Sequence, residues 1–144
     1  PDALKAGGYI NRVIWDQWIN NPARKPTTEN LAEVIAWIDK LNEAMALVGR
    51  PFGYRVQQAI VEYVKQYPAL DQKAFRWAFA DQIEQKLLPK LRGLDSSTQE
   101  FESCISQFED VLKDIEDEEL YTAFLNSKKV AQDQGLYIWT GVSR

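Results

Sequence analysis

The sequence contains no histidine. That removes Ser-His-Asp and Cys-His triads, imidazole acid–base chemistry and histidine-ligated zinc. Cysteine occurs once, at Cys104, so an intrachain disulfide is impossible. In "EFESCISQFEDVL" this cysteine falls on an apolar helical face and reads as a buried structural thiol rather than a reactive one. No apolar run approaches the roughly 18 residues of a membrane span, and no signal-peptide pattern is present. The expectation is a cytoplasmic protein without membrane contact. Phosphate-binding GxxxxGKS/T loops, GxGxxG fingerprints, EF-hand loops and HExxH are all missing. Seventeen basic against 21 acidic residues give a net charge of −4, with no overall pull toward nucleic acid. The carboxylates lie on solvated helix faces rather than at the spacing of a catalytic dyad. By itself the chain has no catalytic apparatus and no cofactor of its own.

What is present is helical periodicity. The 144 residues suffice for one compact domain with a core. "LKAGGYINRVIWDQWIN" spaces Ile10, Ile14 and Trp18 four apart, with Val13 and Trp15 beside them and Gly7-Gly8 at the start or just ahead of it. Residues 1–27 are thus read as an N-terminal helix and connector, with Pro22, Pro26 and a Thr-Thr cap ending the connector near Thr28. A helix over 28–48 carries Leu31, Ile35, Ile38, Asn42 and Met45 on one stripe, flanked by Val34 and Leu41, and Gly49 stops it. The next, Tyr54 to Tyr67, carries Val56, Ile60, Tyr63, Val64 and Tyr67, with Pro68 closing it.

A further helix starts near Asp71 with Phe75, Phe79, Ile83 and Leu87, and Pro89 must kink or end it. "DSSTQE" reads as a capping box with Ser97 as N-cap and Glu100 three residues on. The helix that follows has the cleanest stripe: Phe101, Cys104, Ile105, Phe108, Val111, Leu112 and Ile115. "EDEE" at 116–119 opens the last helix, which runs through Leu120, Phe124, Ser127 and Ala131 until Gly135. "LYIWTGVSR" is a short strand or an extended tail packed on the bundle. The fold class is all-α, five to six packed helices with a short extended C-terminal tail.

A few polar positions stand out. Asn42 lies on an apolar stripe and reads as a core amide satisfied by nearby backbone, in the following turn. In "GRPFGYRVQQ", Arg50 and Arg55 flank a Gly-Pro-Phe-Gly turn at the mouth of a helix. An arginine gains nothing from the positive end of a helix dipole. Two readings stay open for Arg55: a surface arginine paired with Glu62 or another carboxylate, or an anion clamp of guanidinium plus helix N-terminus suited to phosphate. Lys86, Lys90 and Arg92 form a basic cluster. Residues 95–119 hold ten acidic residues against the single base Lys113. Both are read as solvated surface or as edges meeting a phosphate backbone or a partner.

The stretch "VIAWIDKLNEAMALVGRPFGYRVQQAIVEYV" resembles the small helical lid of AAA+ NTPases, specifically the McrB-like group tied to modified-cytosine restriction. Its "LN", "GR.FGYR" and "V..EI..Y" elements appear as Leu41-Asn42, Gly49-Arg50, Phe52-Gly53-Tyr54-Arg55, Val56, Ile60 and Tyr63. Ala59 stands where the group often has glutamate, so this position offers no carboxylate for a salt bridge. "QKLLPKLRG" and the closing "SKKVAQDQGLYIWTG" are similar to later elements of the same group, so the likeness spans about 30–142.

The resemblance implies that residues 28–144 are the lid region and that Arg55 is its sensor-2 arginine, with Gly53 and Tyr54 shaping its approach to a nucleotide phosphate. It further implies GTP or ATP with Mg2+ bound by an upstream large domain. That domain would carry Walker A, Walker B, sensor 1 and an arginine finger, and would lie before Pro1. The chain begins "PDALK", without methionine, and is expected to be a piece of something longer. Implied partners are that domain, neighbouring subunits of a ring and a nuclease, with DNA reached only through the assembly. The competing expectation is a free-standing helical interaction module, docking a protein through its acidic helices and aromatic tail. A DNA-binding helical domain using Lys86, Lys90 and Arg92 is the third.

Overall fold

The computed structural model describes residues 26–67 and 74–142. The expected helix around Ile10–Trp18, the Gly7-Gly8 start, the stop at Pro68 and the start near Asp71 lie outside them. Five α-helices are found among the described residues: α1 (Thr28–Leu47), α2 (Tyr54–Gln66), α3 (Ala74–Gln82), α4 (Gln99–Ile115) and α5 (Glu118–Gln134). No strand occurs among these residues, and the fold class is all-α.

The connector ends as the sequence indicates. The Thr27 hydroxyl accepts the Asn30 N–H, and the Asn30 side chain accepts the Thr27 N–H, both at 3.1 Å. Two of the first-turn donors that a helix leaves open are thereby satisfied. The buried face of α1 is rotated from the expected stripe: Val34, Trp37, Ile38, Leu41, Ala44 and Met45 are buried, whereas Ile35 is 47% exposed. Trp37 explains the rotation. Its ring lies over Phe79 (5.4 Å between centroids) and Phe75 (6.1 Å), and burying so large an aromatic outweighs the smaller Ile35 one face over.

The helix of Phe75, Phe79, Ile83 and Leu87 buries all four. Proline 89 does not stop it abruptly. The chain widens into a π turn over Ile83–Leu87, in which the Leu88 N–H reaches back to the Ile83 carbonyl, and then tightens into a 3-10 turn over Leu88–Leu91. Pro89 sits at the start of that last turn, where its missing N–H is not needed.

One cap differs from expectation. Thr98, not Ser97, caps α4, its hydroxyl accepting the Phe101 N–H at 3.1 Å. Ser97 is taken by Asp95, whose Oδ1 accepts both the Ser97 N–H (2.8 Å) and hydroxyl (2.6 Å). An Asx turn thus precedes the helix and shifts the cap by one residue, so Glu100 falls outside the capping-box position. All seven residues of the α4 stripe are buried. The turn after it places Glu116 in the left-handed region (φ 63°), and Asp117 caps α5 by accepting the Leu120 N–H. The helix α5 begins at Glu118, inside the acidic run, and buries Leu120, Phe124, Ser127 and Ala131 until Gly135 (φ 87°) ends it.

The helix α1 lies along α4, with Lys40 and Asp110 paired at 3.6 Å across them. Phe108 of α4 stacks on Phe124 of α5 at 5.9 Å. The tail is extended rather than a strand, and it contributes the fully buried Tyr137 to the core. No helix among the described residues is long and apolar enough to cross a membrane.

Candidate functional site

The site begins where α1 stops. Gly49, at φ 75°, takes a conformation that a side chain would strain, and the Arg50 N–H turns back to the Met45 carbonyl at 2.8 Å. Asn42, one turn earlier, holds the other end of the loop: its Oδ1 accepts the Phe52 N–H at 2.9 Å while the Phe52 ring is buried. This is the amide-to-turn bond that the position of Asn42 implies. Gly53 then caps α2 from an extended conformation, and no side chain caps the helix N-terminus.

Arg55 sits in the first turn of α2 and is exposed. Among the described residues its side chain makes no ion pair or hydrogen bond. The alternative pairing with Glu62 is not made; that carboxylate, about two helical turns further along α2, pairs with Lys65 at 3.5 Å. Tyr54 is 70% exposed, its hydroxyl accepting from the Gln58 amide at 2.9 Å. A guanidinium without a counter-charge beside an uncapped helix N-terminus is an arrangement that attracts an anion from outside the chain.

The basic cluster meets this loop through its backbone. One Nη of Arg50 donates to the carbonyls of both Lys90 (2.8 Å) and Arg92 (2.5 Å). The Lys90 and Arg92 side chains are exposed around the buried Leu91, and Lys86 is half-buried. Among the described residues none of these three forms an ion pair. Beyond Arg92, the Gly93 N–H donates to the Tyr137 carbonyl (2.8 Å) and the Tyr137 N–H to the Leu94 carbonyl (3.0 Å). Three stretches far apart in sequence, 49–55, 86–93 and 127–137, are therefore one hydrogen-bonded layer. Arg50, read from sequence as a loop charge, is its central tie. Nothing local in the sequence indicates this, since its acceptors are backbone carbonyls 40 and 42 positions on.

A shallow groove of about 300 Å³ runs beside the site between α1 and α2, lined by Ile35, Ile38, Tyr54, Val61 and neighbouring glutamines. Two buried groups lie apart from the surface layer. The fully buried Asp81 accepts the Tyr63 hydroxyl at 3.2 Å, and burial together with the nearby Asp81 carboxylate pushes the Tyr63 phenol up to about 12. Cys104 is buried, and burial pushes its thiol up to about 12, away from the thiolate a nucleophile needs. Sequence reading anticipated the buried thiol but not the Tyr63–Asp81 pair.

No curated protein and no solved structure matches the chain. One family model does, a domain of unknown function, over residues 9–133. The match spans most of the 144 residues, and the chain belongs to that family, DUF8727.

Proposed function

We propose that this chain is the helical lid region of a McrB-like AAA+ NTPase, and that Arg55 is the arginine it extends to a nucleotide phosphate. The carrying observation is the hydrogen-bonded layer. The stretches that bear the sequence resemblance are the ones joined by Arg50 and by the Gly93–Tyr137 bonds, and Arg55 projects from that layer unpaired. A nucleotide phosphate fits Arg55 and the open N-terminus of α2, with Gly53 allowing close approach and Tyr54 beside it. The nucleotide of this reading carries Mg2+. The metal, and the choice between GTP and ATP, belong to an upstream domain.

In this reading the bound nucleotide supplies the phosphoryl group, and the role of this chain is electrostatic. Arg55 stabilises negative charge developing on the phosphoryl oxygens without making or breaking a bond. Lys86, Lys90 and Arg92 add a basic edge facing the large domain, a neighbouring subunit of the ring, or DNA carried by the assembly. A nuclease partner and a cytoplasmic setting complete the proposal.

The test is the reading frame upstream of Pro1, followed by turnover of the longer protein with Arg55→Ala. A P-loop upstream and a loss of about tenfold or more, roughly 1.4 kcal/mol in the barrier, support the reading. Unchanged turnover would refute it. The α1–α2 groove with exposed Ile35 and Tyr54 favours a second reading, a helical interaction module that docks a protein there. Absence of any upstream nucleotide domain would favour that module.

A further inference from the structure

The loop from Gly49 to Gly53 has no regular structure, yet it sets the direction in which α2 starts and hence where Arg55 points. Two polar ties outside the loop's own turn hold it. On one side Asn42 Oδ1 accepts the Phe52 N–H; on the other, one Nη of Arg50 donates to the carbonyls of Lys90 and Arg92. We propose that Arg50 is the positioning residue for Arg55, and that it couples the first turn of α2 to the C-terminal tail. The inference rests on the reading of Arg55 as the phosphate-facing arginine.

The chemistry of the tie supports this role. The carbonyls at the end of a helical turn lack intrahelical donors, and a charged donor satisfies them more strongly than a neutral one. A single planar Nη serves both carbonyls, which favours one orientation of the guanidinium at this exposed contact. What it grips is itself anchored. The Gly93 N–H is bonded to the Tyr137 carbonyl, the Tyr137 hydroxyl shares a 2.9 Å hydrogen bond with Ser127, and the Ser96 hydroxyl donates to the Ala131 carbonyl at 2.6 Å. A continuous path of hydrogen bonds thus runs from α5 and the tail through the 88–93 turn to Arg50, five residues before Arg55. A displacement of the tail would reach the arginine along it.

The experiment has two parts. In this chain, amide hydrogen exchange is compared for wild type, Arg50→Ala and Arg50→Lys. Arg50→Ala should speed exchange at the hydrogen-bonded amides of Phe52, Val56 and Gln57 and at Gly93 by about tenfold, leaving 104–112 in α4 unchanged. Arg50→Lys, which keeps the charge but not the planar fork, should give a smaller rise at the same places. No change at Phe52, Val56 and Gln57 would overturn the proposal. So would an equal rise in α4, because Arg50 would then support the whole fold rather than one turn.

In the longer protein with its nucleotide domain, turnover is measured for Arg50→Ala, Arg55→Ala and the double variant. If Arg50 acts through Arg55, the double variant is no slower than Arg55→Ala alone; independent, additive losses would overturn the coupling. Should Arg55→Ala leave turnover unchanged, the phosphate reading itself fails. The exchange result then still decides whether Arg50 positions α2.

Discussion

Replacing Asn42 by leucine separates the polar role of this side chain from its bulk. Leucine is similar in size and suits the apolar stripe, but it has no acceptor for the Phe52 N–H, which Asn42 Oδ1 holds at 2.9 Å. The Phe52 ring is buried and the bond itself is partly buried, so water replaces the lost partner only incompletely. A buried donor left without an acceptor costs about 1–3 kcal/mol. For 144 residues, unfolding entropy near the melting temperature is about 0.3 kcal/mol per kelvin at roughly 2.1 cal/mol/K per residue. A loss of about 2 kcal/mol therefore lowers Tm by about 7 °C. Asn42→Asp keeps an oxygen at the same place and should cost less than about 1 kcal/mol. Calorimetric melts of the three proteins check this, with hydrogen exchange at Phe52 as the local readout. A Tm for Asn42→Leu within about a degree of wild type would mean that the turn is held without the amide, contrary to the role given to Asn42.

Two further outcomes are expected. Ser127→Ala strips the buried Tyr137 hydroxyl of its 2.9 Å partner and should destabilise by about 1–3 kcal/mol; adding Tyr137→Phe removes the orphaned group and should recover part of that, which denaturant unfolding of wild type and the two variants would measure. For Cys104, whose thiol burial pushes up to about 12 from an ordinary value of 9.0, the native thiol stays protonated while the unfolded one ionises. Its contribution to stability is therefore fully present below pH 9 and is lost as pH rises from 9 toward 12; at pH 8 a disulfide probe should react on the order of a hundredfold more slowly with native than with denatured protein, and equal rates would contradict the burial.

How much of this was legible in the sequence depended on whether one face or several were at stake. The helices α4 and α5 each turn a single stripe to the core, and Phe101 through Ile115 and Leu120 through Ala131 could be read directly from the 3.6-residue period. In α1 two stripes offset by one residue competed, and only the packing of Trp37 on Phe75 and Phe79 decides that Ile35 faces outward. The α4 cap slipped by one because Ser97 had a rival partner in Asp95 two residues away. Within the candidate site, Asn42 was readable because its acceptor serves a turn only ten positions on. The Arg50 tie was not, because hydrogen bonds to backbone carbonyls leave no trace in the identity of the residues that accept them.

Contact between Arg55 and a nucleotide phosphate is the central proposal. Its most direct test is the ratio of triphosphate to diphosphate affinity in the longer protein, compared between wild type and Arg55→Ala. Contact with the terminal phosphate predicts that the substitution lowers this ratio by about tenfold or more, the scale of one charged hydrogen bond, while diphosphate binding changes little. An unchanged ratio, or equal losses for both nucleotides, would contradict that contact and leave Arg55 an arginine of the surface.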